Sequence, residues 1–94
     1  MNIIDETFVT LRKYVDVVTA CQEGQTLAVR LGLSDDDQIN AVLAILKVAR
    51  ETTKYGRHGE MILRSFCQGG RRGILVEVNG TTEEMIMEKV RGNE

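Results

Sequence analysis

A chain of 94 residues, 43% hydrophobic and 28% charged, has the composition of one globular domain and can bury roughly 60–65% of the surface its unfolded form exposes. No apolar run approaches the ~20 residues of a membrane span, no basic-then-apolar leader opens the chain, and the net charge is only −2. Cys21 and Cys67 lack metal-ligand spacing, so a disulfide scaffold and a zinc module are excluded and two reduced thiols of a cytoplasmic protein are expected.

The first element in chain order is a strand over Thr7–Arg12, which is β-prone and roughly alternating. From Tyr14 to Leu31 the apolar residues Val17, Val18, Cys21, Leu27, Ala28 and Leu31 follow helical spacing. Asp16 serves as N-cap or first-turn acid and Gly32 as the stop. Gly24, inside this helix, leaves room for close backbone packing or for another chain, with packing the expectation. Ser34 caps a second helix, and Asp35, Asp36 and Asp37 favour the positive end of its dipole. That acidic run lacks the spaced ligands and glycine of a calcium loop. Ile39, Val42, Leu43, Ile45, Leu46 and Ala49 form a wide apolar stripe, and Gly56 and Gly59 end the helix.

Two further strands, Glu60–Cys67 and Gly73–Val78, flank the connection Gln68–Arg72 as a hairpin, and Asn79-Gly80 marks another turn. Thr81 or Thr82 is then expected to cap a short last helix over Glu83–Val90, with Met85, Ile86 and Val90 packing inward. The predicted order is β-α-α-β-β-α, an α+β two-layer sandwich with helices on one face of a mainly antiparallel sheet. Residues 1–94 form a single domain, without internal repeat or linker.

Charge is distributed unevenly. Residues 47–72 hold seven bases against two acids, whereas residues 1–46 hold seven acids against three bases. Such a segment can meet an acidic protein, a phosphate or nucleic acid, or can be a solvated face. No aromatic residues interleave with the bases, which weighs against single-strand binding. His58, the only histidine, lies in a turn between Gly56 and Gly59 with no neighbouring nucleophile or second imidazole. Neither a Gly-x-Gly-x-x-Gly nor a Gly-x-x-x-x-Gly-Lys phosphate loop is present.

Asp16-Val17-Val18, Ala20, Gln22, Gly24, Leu31-Gly32, Asp37-Gln38, Ala44-Ile45, Ala49-Arg50, Tyr55 and Gly59 together resemble the bacterial anti-sigma-factor and switch serine/threonine kinases. The likeness runs from Phe8 to about Val78 and covers the N-terminal half of the ATPase fold shared with histidine kinases and gyrase B; it is closest to the stressosome switch kinase. It implies a catalytic glutamate at position 47, a magnesium-holding asparagine at position 51, and an adenine-reading aspartate after the second hairpin strand. This chain carries Lys47, Glu51 and Asn79 there, so the three nucleotide-site positions read as degenerate. Lysine is no carboxylate base, and Glu51 brings negative charge toward the phosphates, although its oxygens suit magnesium. The nucleotide lid and final strands of that fold are also missing from a chain that stops at Glu94. Related kinases place an arginine where Cys21 stands, on a surface used for partners.

The resemblance therefore implies a non-catalytic regulatory protein-interaction domain that requires no cofactor. Its expected partners are a STAS-domain protein, a sigma factor or a second copy of itself. Arg50, Lys54, Arg57 and Cys21 are the partner-binding candidates. An exposed sheet edge and part of the helix layer favour a homodimer. The alternatives are a residual kinase that still binds ATP and magnesium, and a nucleic-acid binder acting through residues 47–72.

Overall fold

Two helices lie across one face of a four-stranded antiparallel sheet in the computed structural model, which describes residues 1–88. The order is β1 (Asn2–Leu11), α1 (Tyr14–Arg30), α2 (Asp35–Thr53), β2 (Gly59–Gln68), β3 (Arg71–Val78) and β4 (Thr81–Met87). The strands follow one another across the sheet as β1-β2-β3-β4. The α+β class, the two layers and the antiparallel sheet agree with the sequence reading. The last element does not.

Where a helix over Glu83–Val90 was expected, the chain forms β4; Val90 itself lies outside the described residues. The reason is turn chemistry. Asn79 (φ 52°) and Gly80 (φ 81°) both take the left-handed conformation, the signature of a two-residue hairpin turn that returns the chain along its own strand. Asn79 is held there because its Oδ1 accepts from the Glu60 N–H at 2.9 Å and its own N–H donates to the Glu60 carbonyl at 2.9 Å. Ile86, paired with Ile74, then packs against the core.

Other boundaries differ less. β1 begins five residues before the expected Thr7, with Ile4 an extra residue in a bulge opposite β2. The five-residue hairpin connection contracts to Gly69-Gly70, again with both φ positive. A single 3₁₀ turn, Lys54–Gly56, follows α2.

The link between the helices is capped on both sides. At the end of α1 the Gly32 N–H donates to the Val29 carbonyl and the Leu33 N–H to the Ala28 carbonyl, a Schellman arrangement that needs the positive φ of Gly32. Leu33 is buried, and Ser34 Oγ accepts from the Asp37 N–H to start α2. Arg72 reinforces the same corner, its Nη1 donating to the Leu31 carbonyl while Nε and Nη2 bind Glu88.

The core lies between the layers. Val17, Ala20, Leu27 and Ala28 of α1 and Ala41, Ile45 and Ala49 of α2 close over Val9, Leu11, Met61, Leu63, Ile74 and Val76. Gly24 performs the packing role expected of it, since a Cβ there would collide with Ile45 Cδ1 and touch Leu63. On the opposite sheet face Arg64 bridges Glu6 and Glu77 (2.7 Å to the latter), so one cation ties three strands together. Phe66 on that face is fully buried, its ring lying over Gly73.

Two predictions follow from these contacts. A Cβ at Gly73 would stand 2.7 Å from Phe66 Cζ and meet the Ile86 carbonyl, so Gly73→Ala should destabilise the fold by about 1–3 kcal/mol in urea titration. A neutral result would show that β3 and β4 separate freely. Asp16, accepting from the Arg12 and Lys13 N–H groups, has its pKa lowered chiefly by the Arg12 bond. Its charged form therefore favours the folded state above the ordinary carboxylate range, and that contribution fades as pH falls through the lowered value. Asp16→Asn should melt earlier than the parent near pH 7, with the gap closing as the pH falls below the ordinary carboxylate range. A gap independent of pH would contradict this.

Candidate functional site

The positions that the resemblance would assign to a nucleotide site are only partly brought together. Lys47 and Glu51, one turn apart on α2, share a groove of about 390 Å³ with Val48, Thr52, Arg57, Glu83 and Glu84. Asn79 does not line it and serves the β3–β4 turn instead. Glu83 and Glu84 were assigned to a helix from sequence; β4 carries them opposite α2, and the register that pairs Glu84 with Val76 brings them to this groove. Three carboxylates thus face Lys47 and Arg57. Thr52, the one hydroxyl in the lining, donates to the Val48 carbonyl at 2.8 Å. Among the described residues no three His, Cys, Asp or Glu side chains converge as a metal site.

The basic segment 47–72 does not form one surface. Arg64 is held between Glu6 and Glu77 on the open sheet face, and Arg72 is bound to Glu88 beside the end of α1. Arg71 starts β3 after the Gly69-Gly70 turn. What remains together is the C-terminal part of α2. Arg50 and Lys54 line a second groove with Lys47, Glu51, Leu43 and Leu46, while Arg57 belongs to the first. Lys54 reaches Glu51 at 3.7 Å and lies 5.8 Å from the Tyr55 ring centre. His58 is exposed on the way into β2.

Cys21 is removed from both grooves. It is half-buried on α1 and packs against the core, and that burial raises its thiol pKa. It therefore behaves as a small apolar residue rather than a reactive one.

The surface that sequence reasoning passed over is the outer side of the helices. Ile39 (57% exposed) and Leu43 (56%) belong to the apolar stripe read from sequence, but Ala41, Ile45 and Ala49 alone are fully buried on α2. Ile39 and Leu43, with Val42, Gln25, Asp35 and Gln38, line an open groove of about 490 Å³. Val29 (55%) lies beside Gln25 in an adjoining depression on α1. A signal was available: six apolar residues on one helix exceed the face that a single buried contact uses. Exposed apolar surface of this kind, rimmed by polar residues, marks interaction sites.

No protein family, curated protein or solved structure matches this chain. Among the described residues no helix is long and apolar enough to cross a membrane.

The thiol carries a direct test. At pH ~8 Cys21 should react with iodoacetamide several-fold more slowly than a free thiol of ordinary pKa, measured in a Cys67→Ser background. A rate equal to or above that of free cysteine would show an activated, accessible thiol.

Proposed function

We propose that this chain is a non-catalytic regulatory protein-interaction domain, related to the bacterial anti-sigma factors and switch kinases and working in the cytoplasm. Its action is to bind a protein partner or a second copy of itself. The observation that carries this reading is the groove around Lys47 and Glu51. Glu51, Glu83 and Glu84 line it, so a polyphosphate entering there would meet three carboxylates against two bases. Lys47 has no carboxylate with which to take a proton from a hydroxyl nucleophile, and Thr52 is already engaged with the backbone. Exposed apolar residues lie on the outer side of the helices (Val29, Ile39 and Leu43) and on β1 (Ile3, Ile4 and Phe8), surfaces suited to a protein partner. A STAS-domain protein or a sigma factor is the partner class that the sequence resemblance supplies.

The dispersal of the basic segment weakens the nucleic-acid alternative, because Arg64 and Arg72 spend their charge within the fold. An amide NMR titration separates the remaining readings. Adding ATP and magnesium should leave Lys47, Glu51 and neighbouring amides unmoved to roughly 1 mM. Adding a STAS-domain antagonist should shift amides around Val29, Ile39 and Leu43. Micromolar ATP binding centred on Lys47 and Glu51 would overturn the non-catalytic reading, and a saturable shift confined to the open sheet face would move the interface elsewhere.

A further inference from the structure

The geometry points to α2 as the contact surface of a two-fold homodimer in which two copies of this helix lie antiparallel, outer ridge against outer ridge. This rests on the interaction-domain reading and names one occupant for its surface: a second copy of this chain.

Ile45 points inward, fully buried in the core over Gly24. At roughly 100° per residue, Asp36, Leu43, Lys47 and Arg50 all fall within about 40° of the line diametrically opposite it. All four are exposed. They stand seven, four and three residues apart and so share one side of the helix. The ridge is acidic at its start, apolar in its middle and basic at its end: Asp36, then Leu43 with Ile39 beside it, then Lys47 and Arg50.

That order is self-complementary only when a second copy runs the other way. Asp36 and Arg50 each stand seven residues from Leu43, about 10.5 Å along the axis. A two-fold axis through Leu43 therefore levels Asp36 of each copy with Arg50 of the other, and places the Ile39 side chain against the Lys47 stem. The Asp36–Arg50 pair is made twice, and Leu43 meets Leu43 at the centre. A parallel pairing would set acids against acids and bases against bases. The open sheet face offers no such match, since its Arg64 is already neutralised within the chain.

Sedimentation equilibrium of the full chain tests this. At low salt the mass should approach twice 10.5 kDa. Asp36→Arg and Arg50→Asp should each weaken association by at least about tenfold, since each sets like charges together at both ends of the contact. The double variant carrying both swaps should return to within about threefold of the parent, because the charge order is merely reversed. All the substituted positions are exposed, and far-UV circular dichroism verifies that each variant is folded. Leu43→Asp should give a folded monomer. A parent that stays monomeric to roughly 1 mM overturns the dimer, and if it still binds a STAS-domain protein the interaction-domain reading stands without it. A dimer indifferent to both swaps, or one that Phe8→Asp on the open sheet face disrupts instead, overturns the α2 contact.

Discussion

Ile45 seated over Gly24 is the contact on which the arrangement of this protein depends. The two helices come close enough there that any side chain at position 24 would strike Ile45 and touch Leu63 of the sheet. Gly24 thus lets α1 settle against both α2 and β2, within the core that Ile45 and Leu63 share. The direction of Ile45 also sets the rotation of α2, which sends Ala41 and Ala49 inward with it and leaves Leu43, Lys47 and Arg50 outward. Every functional statement about α2 follows from that rotation. The groove at Lys47 and Glu51 lies on its β4 side, and the apolar surface at Ile39 and Leu43 lies on its outer side.

The helices were legible because their signals are local. Gly32 and Ser34 end and begin them through backbone conformation and a side-chain cap, each visible as a residue type at the right spacing. The β2–β3 hairpin was legible for the same reason. β4 was not, because Glu83-Glu84-Met85-Ile86-Met87 has helix-forming composition, and pairing with β3 prevails over that preference. Asn79-Gly80 held the correct answer: two consecutive left-handed residues specify a hairpin, which a turn leading into a helix does not require.

The candidate site divides along the same line. That Lys47 and Glu51 share a groove follows from their spacing alone, since residues four apart on a helix are neighbours. Glu83 and Glu84 were invisible at this groove because reaching it requires β4 and its register. The dispersal of the bases was equally hidden: that Arg64 meets Glu6 and Glu77 is a consequence of strand pairing across 58 residues. The apolar stripe of α2 was legible as apolar, but which of its residues are buried was not. Periodicity reports which residues share a side of a helix, while burial depends on what the rest of the chain supplies to cover them. Here α1 and the sheet cover Ala41, Ile45 and Ala49 and leave Leu43 in solvent.

The scaffold therefore carries two distinct surfaces on one helix: a carboxylate-lined groove poorly suited to phosphates, and an outer ridge whose charges reverse along its length. The central claim is that the outward ridge meets its own copy. An isotope-filtered NOE experiment on a mixture of carbon-13-labelled and unlabelled protein tests it most directly. The account predicts intermolecular contacts from the Leu43 methyl groups to those of Leu43 and Ile39 in the other copy. Intermolecular contacts confined to Phe8 and Ile62 on the open sheet face would contradict it.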